Sequence, residues 1–284
     1  MKYGVLSYST RNIGDEIQSL AARRFLPKVD LHIDRDYLNR VDGSEPFKLI
    51  LNGWFTHRPE NWPPAPAIRP LFISFHITRE ILPRNVNRLR ASDHLIHGAS
   101  LEYLRSHQPI GCRDIATAEL LNAHGVAAYF SGCLTLTLEN RWPQRSGLTY
   151  CVDVSKSVAR FVADRVGNPV VSQTHDVALT ENTEARFRRA EKHLEQYATA
   201  RLVVTSRLHC ALPCLALATP VIFVVEEPSN YRLRGLCGLT RHLTEDELLS
   251  SAADIDWKNP QPNPFDVASL RRDLIERCMS FVRN

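Results

Sequence analysis

Short apolar runs alternate along the chain with stretches in which apolar residues recur every three or four positions. The runs at 3–8, 29–33, 48–52, 71–75 and 126–130 have strand length and are rich in aliphatic and aromatic residues, so they predict buried strands. Residues 15–25 place Ile17, Leu20, Ala21 and Phe25 on one helical face. The pattern predicts a strand at 93–97, a short helix at 101–106, a short strand at 109–112 and a helix at 116–124, with Gly125 just past its end. The proline-dense segment 58–70 predicts a surface loop that shapes a binding rim, with Trp54 and Trp62 nearby.

The polar, turn-rich segment 139–147 predicts a linker. Beyond it the alternation restarts with a strand at 148–152, a helix at 158–166, a strand at 170–171 and a charged helix at 183–198. A strand at 202–204 then runs into the polar cluster Ser206-Arg207-Leu208-His209. Leu208, Leu212, Leu215 and Leu217 follow at helical spacing, and a β-branched run occupies 221–225. This is a β-α-β unit. Residues 266–282 predict a terminal amphipathic helix with Leu270, Leu274, Cys278 and Phe281 on one side. The whole pattern predicts an α/β fold of two doubly wound, Rossmann-like domains, 1–140 and 141–284, facing a cleft, with the terminal helix packing back on the first.

Composition narrows the function classes. With 284 residues, 44% hydrophobic and 23% charged, the chain reads as an ordinary soluble globular protein. Its net charge of +4 is mild and its basic residues are scattered, which argues against a nucleic-acid partner. No apolar run reaches the roughly 18 residues of a transmembrane helix, and the first residues lack a signal-peptide core. Seven cysteines without framework spacing point to reduced thiols and a cytoplasmic setting. Cys210 and Cys214 stand four apart, but no partner set completes a zinc site, so they read as small core residues. Asp34-Arg35-Asp36 has the shape of a sugar-transferase metal motif, although charged loop residues are the simpler reading. No GxSxG, HExxH or phosphate-loop motif is present.

Three groups carry candidate chemistry. Arg207 and His209 sit at the carboxyl end of a strand, where ligands bind in open α/β sheets. An arginine beside helix N–H groups suits a carboxylate or phosphate, and a histidine can move a proton near neutral pH. The plainer alternative is a solvated arginine and a histidine packed on the sheet edge. In Ser9-Thr10-Arg11-Asn12-Ile13-Gly14-Asp15-Glu16, Gly14 permits a tight turn. The segment is either an anion or sugar contact or a helix cap made by Asn12 or Asp15. In Ile110-Gly111-Cys112-Arg113-Asp114, Arg113 is delivered to a helix start, either for a ligand or as a structural pair with Asp114. Arg232 and Arg234 add charge after the last strand, as a phosphate clamp or a solvated loop. His175 and Asp176 follow the 170–171 strand and are further candidates for the cleft.

Taken in order, Asn12-Ile13-Gly14-Asp15-Glu16, Gly111-Cys112-Arg113-Asp114 with Thr117, Phe130-Ser131-Gly132-Cys133-Leu134-Thr135-Leu136, and Val204-Thr205-Ser206-Arg207-Leu208-His209 with Pro220 resemble the polysaccharide pyruvyl transferases. The resemblance implies a two-domain fold like that of the GT-B glycosyltransferases. It implies transfer of a pyruvyl group from phosphoenolpyruvate to a sugar of a cell-surface glycan or its lipid-linked precursor, forming a ketal. It associates Arg207, His209 and Arg113 with the donor. On that basis Ser206, Leu208 and Arg232 join the donor side, His209 and Asp15 (or Glu16) form an acid–base pair, and Asn12, Glu16 and Trp54 face the acceptor. No metal or cofactor is required. Peripheral membrane contact and oligomeric state stay open. The alternatives are a nucleotide-sugar glycosyltransferase, with Glu226-Glu227 as its ribose contact, and a non-catalytic glycan-binding protein that stacks a sugar on Trp54 and Trp62.

Overall fold

In a computed structural model, which describes residues 1–42, 45–81, 85, 87–142, 144–250, 254–263 and 265–284, the alternation of strands and helices is present in both halves. The elements are β1 (Lys2–Ser7), α1 (Gly14–Arg23), β2 (Leu31–Asp34), β3 (Phe47–Phe55), β4 (Ile68–Ile77), α2 (Ala91–His94), α3 (Gly98–Ser106), β5 (Ile110–Cys112), α4 (Ile115–Ala123) and β6 (Ala128–Phe130). They continue with β7 (Thr149–Val152), α5 (Lys156–Val166), β8 (Val170–Gln173), α6 (Thr183–Thr199), β9 (Leu202–Thr205), α7 (Leu208–Ala216), β10 (Val221–Val224), β11 (His242–Leu243), α8 (Glu245–Leu249) and α9 (Ala268–Arg283). They divide into two compact α/β units, each built on one parallel sheet.

The first unit comprises Met1–Ser9, Gln18–Leu134 and Ser269–Asn284. Its sheet has the order β2-β1-β3-β4-β5-β6, with every pairing parallel. Central strands of such sheets are covered on both faces and so are apolar throughout. β3, FKLILNGWF, is buried at all nine positions, and Leu49, Leu51 and Phe55 pack with Phe72 and Phe75 in one core. Gly53 in β3 has φ +99, and a Cβ there would stand 2.8 Å from Gln18 Oε1. The β3–β4 register shifts between Leu51 and Gly53, as expected where glycine carries a bulge. α9 belongs to this unit: Leu274 and Cys278 are buried, Lys48 Nζ donates to Val282 O at 3.1 Å, and Arg277 lies 4.4 Å from the Tyr129 ring centroid.

The second unit comprises Thr10–Ile17 and Thr135–Ala268. Its sheet has the order β11-β10-β9-β7-β8, again all parallel. Cys151, Val158, Val162, Val204, Ile222 and Leu248 build its core. Ser155 caps α5 through Val158 N, and Gly167 ends it at φ 65; Asn182 caps α6 through Ala185 N. Against the expected division after residue 140, the first unit ends at Leu134, and the short segment Thr10–Ile17 counts with the second.

Three local expectations are corrected. Residues 139–147, expected as a linker, are docked in the second unit: Arg145 donates to Ala198 O, Ala200 O, Thr219 Oγ1 and Ala218 O at 2.7–3.1 Å. One guanidinium thus satisfies carbonyls in the last turn of α6 and just past the ends of α6 and α7. Pro143 of that segment lies outside the described residues. Residues 93–97 are not a strand: Leu95 N bonds to Ala91 O at 2.9 Å and closes the short helix α2. The 58–70 segment is not a surface rim, because Trp62, Ala65 and Ala67 are buried and Trp62 packs edge-on to Phe55. All seven cysteines are free, buried thiols. No helix among the described residues is long and apolar enough to cross a membrane.

The density of the first core predicts that Leu49→Ala, at a position with no exposed surface, lowers unfolding stability by about 2–5 kcal/mol in urea titration. A loss well under 1 kcal/mol would contradict the close packing assigned to β3.

Candidate functional site

Strand order gives each sheet one reversal, around β1 in the first unit and around β7 in the second, and Arg207 and His209 lie at the second. β7 is flanked by β8 on one side and by β9 on the other, so the chain reverses its direction of sheet growth between β7 and β9. Ligands in open α/β sheets bind outside the carboxyl ends of strands at such a reversal. The register pairs Val152 with Thr205 and Val152 with Gln173, so Asp153, Ser206 and Thr174 leave their strands at one level. Ser206 Oγ donates to Asp153 O at 2.5 Å and Arg207 N donates to Thr205 Oγ1 at 3.0 Å. Asp153 Oδ2 accepts from both Arg207 Nε and His175 N, each at 2.8 Å.

Asp153 adopts φ 51, a left-handed backbone that costs most residues but that aspartate tolerates. Burial pushes its carboxyl up, but hydrogen bonds from Thr174, His175 N–H and Arg207 outweigh burial and hold it below its ordinary value. Arg207 is therefore gripped by the Nε edge of its guanidinium. Its side chain is 44% exposed, and no other hydrogen bond among the described residues holds its Nη groups. Arg207 also occupies the N-cap of α7 without using its side chain as a cap. Leu208 is half-buried in that turn. His209 is buried and departs from helical geometry at φ −84, ψ 19.

The Thr10–Ile17 segment completes the site. It pairs antiparallel with the stretch after β8: Ile13 N donates to His175 O and Val177 N to Arg11 O, both at 2.9 Å, with an isolated bridge between Asn12 and Asp176. Arg11 Nε and Nη2 reach Asp176 Oδ1 and Oδ2 at 2.8 and 2.7 Å. Asn12 Oδ1 accepts from Gly14 N at 3.0 Å, and Asp15 Oδ2 accepts from Thr10 Oγ1 at 2.8 Å. Gly14 sits at a close approach: a Cβ there would stand 3.1 Å from His209 Cβ and 3.2 Å from His175 Nδ1. The glycine brings this segment against both histidines.

Beneath lies one face of α6, with Arg186, Ala190, His193 and Tyr197 at helical spacing and all buried. Arg186 Nε donates to Glu16 Oε1, and both side chains are almost fully buried. Burial pushes the Glu16 carboxyl up to about 7, with Asp15 adding to the rise and Arg186 opposing it. Tyr197 OH bonds His175 Nε2 at 2.8 Å and His193 Nδ1 at 3.4 Å. Burial pulls His175 down to about 3, with the neighbouring His193 adding to the fall. It pulls His193 down to about 4, with Arg189 adding. The His175–Tyr197–His193 part of the floor is a neutral hydrogen-bonded cluster.

Asn12, Asp15, Glu16, Ser206, Arg207, Leu208 and His209 are thus all in the second unit, with His175 and Asp176 joining them. Arg232, also in that unit, lies half-buried in a short 3₁₀ turn, Tyr231–Leu233, where its N–H donates to Asn230 Oδ1 at 3.0 Å. Arg113 and Trp54 are in the first unit. Arg113 is 1% exposed with Nε 3.9 Å from Asp114 Oδ2. Asp114 caps α4 through Thr117 N and pairs with buried His76 Nδ1 at 2.5 Å. Trp54 sits on β3, 8% exposed, with the Arg35 guanidinium 4.9 Å from its ring centroid. Asp34 accepts from Ser9 Oγ at 2.7 Å and Asp36 from Thr56 Oγ1 at 2.6 Å, so these carboxylates serve local structure. Sequence reasoning passed over Asp153, Arg186, His193 and Tyr197. The available signals were an aspartate directly after a strand and the 186–190–193–197 spacing inside a charged helix.

A family model described as polysaccharide pyruvyl transferase matches residues 12–228. A comparison with curated proteins finds no match. Among solved structures, a functionally uncharacterized protein from Klebsiella pneumoniae is 14% identical over 86% of this chain and 93% of its own, at a TM-score of 0.47. The UDP-GlcNAc 2-epimerase of Methanocaldococcus jannaschii is 11% identical over 99% of this chain and 100% of its own, also at 0.47.

The neutral histidines predict a pH dependence. Their folded values lie below the ordinary 6.5, so the stability they supply is present above pH 6.5 and is lost as pH falls toward those values. Glu16 acts oppositely: its stability is present below 4.5 and is lost as pH rises toward 7. Two groups outweigh one, so Tm is expected to fall on acidification from pH 6.5 to 4.5, and to fall less in His193→Asn. A Tm that is flat or rises over that interval would contradict the cluster.

Proposed function

The chain belongs to the polysaccharide pyruvyl transferase family, and we propose that it uses phosphoenolpyruvate as donor, bound at the carboxyl ends of β7 and β9, to build a ketal on a glycan sugar. The observation that carries this reading is Arg207, the N-cap residue of α7: its Nε is fixed by Asp153, and its side chain is 44% exposed. An anchored guanidinium next to backbone N–H groups suits a small ligand bearing a carboxylate and a phosphate. The reading also takes each unit as a doubly wound, Rossmann-like domain of the GT-B type.

Ketal formation needs a proton delivered to the donor methylene carbon, while a sugar hydroxyl attacks the adjacent carbon and gives up its own proton. A second hydroxyl of the same sugar then attacks that carbon. The bond to the phosphate oxygen breaks, and phosphate leaves with the electron pair and the second hydroxyl's proton. We assign His209 to deliver the first proton and Asp15 to accept one; Asp15 is held by a neutral hydroxyl, Thr10 Oγ1, whereas Glu16 is paired with the Arg186 cation. Arg207 balances charge on the departing phosphate, and no metal or cofactor is part of the scheme. Asn12 contributes to the acceptor side, which is taken as a glycan or lipid-linked oligosaccharide. Arg113 and Trp54, both buried in the first unit, are not needed for the donor assignment.

The direct test is phosphate release on mixing the protein with phosphoenolpyruvate and a panel of galactosides, mannosides and glucosides, including lipid-linked forms. Release that depends on one acceptor, with a carboxyethylidene mass added to it, is expected. Stabilisation by a nucleoside diphosphate and none by phosphoenolpyruvate would instead identify a glycosyltransferase. With the acceptor in hand, Arg207→Ala is expected to raise the donor KM sharply or abolish turnover, and an unchanged KM would refute the donor role. His209→Ala is expected to lower kcat by about 10²- to 10⁴-fold; near-normal turnover would remove it from the acid–base step.

A further inference from the structure

The donor reading leaves a shortfall of charge. Near neutral pH a phosphate monoester carries roughly −1.5 to −2 and the carboxylate of phosphoenolpyruvate adds a further charge, whereas Arg207 supplies one cation. We propose that Arg11 is the second donor-binding cation, taking one anionic group of phosphoenolpyruvate while Arg207 takes the other. This rests on the donor reading above.

The two arginines are held in the same way. Arg207 is gripped at Nε by Asp153; Arg11 is gripped at Nε and Nη2 by Asp176. Both guanidinium groups are exposed, at 44% and 67% of their side-chain surface, and among the described residues no hydrogen bond occupies Nη1 of Arg11. Both hang on one short path, because the Asp153 oxygen that holds Arg207 also accepts from His175 N at 2.8 Å, and Asp176 is the next residue. Asp176 feels both cations: its hydrogen bonds from Arg11 and then the charges of Arg11 and Arg207 keep its carboxyl low against slight burial.

The plain alternative is that Arg11–Asp176 straps the Thr10–Ile17 segment in place. That task is already done by the backbone, through Ile13 N to His175 O, Val177 N to Arg11 O and the Asn12–Asp176 bridge. Exposed ion pairs add little to stability. What the side-chain pair does is hold the Arg11 guanidinium on Asp176, a carboxylate that also feels the charge of Arg207.

Isothermal titration of phosphoenolpyruvate into the intact protein, Arg11→Ala and Arg11→Lys, with a Tm for each, tests the inference. Arg11→Ala is expected to weaken binding by about tenfold or more with little change in Tm, and Arg11→Lys to recover part of the loss through its retained charge. Equal affinity in Arg11→Ala would overturn the role of Arg11 and leave the donor reading standing. Equal affinity with a lowered Tm would make the pair a strap. No binding of phosphoenolpyruvate by the unaltered protein would overturn the donor reading itself.

Discussion

One carboxylate organises the second unit. Asp153 Oδ2 accepts from the backbone N–H of His175 and from Arg207 Nε, while the Asp153 carbonyl accepts from Ser206. The carboxyl ends of three strands, β7, β8 and β9, are thereby tied at the point where the sheet changes its direction of growth. Asp153 pays for this with a left-handed backbone, a local cost of the kind that persists where surrounding bonds over-determine it. Once Arg207 is fixed, the start of α7 is fixed, and with it the place of His209. The stretch after β8, set by the same bond, presents His175–Val177 as an edge on which Arg11–Ile13 can pair.

Beneath this polar surface the unit solves a different problem, which is how to bury two histidines, a tyrosine, an arginine and a glutamate. It does so by pairing. Tyr197 OH links His175 and His193, and Arg186 meets Glu16. Burial keeps the histidines neutral, so their interaction with Tyr197 carries no ionic desolvation cost. Glu16, pushed up to about 7, is the one carboxyl of the group whose charge is expensive to maintain. A buried pair of this kind is fragile to loss of either member, because the survivor keeps an unpaired charge in a low-dielectric setting.

Much of this was legible in the chain, and what was not has identifiable causes. The run 202–204 followed by Ser206-Arg207-Leu208-His209 announces a strand end carrying a cation and a histidine, and Gly14 marks a tight turn. Asp153 was not legible because its role depends on β7 and β9 being neighbours, and strand order is a property of the sheet. Arg186 and His193 were hidden in a helix whose many charges read as solvated. Arg145 reads locally as linker polarity, since nothing in the neighbouring residues shows that two helix ends converge on it. The short α2 was missed because Leu95 and Ile96 supply strand-like apolarity, while i to i+4 backbone bonds decide the outcome. Trp54 and Trp62 read as rim aromatics beside prolines, but Trp62 packs in the first core and Trp54 is buried against Arg35.

The central claim is a location, so the most direct measurement is hydrogen–deuterium exchange of the intact protein with and without phosphoenolpyruvate. The account predicts slowed exchange in the peptides that span residues 10–16, 153–155, 174–177 and 206–210, with the rest of the second sheet unchanged. Protection confined to the first unit, around Arg113, with none at Asp153 or Arg207, would contradict it.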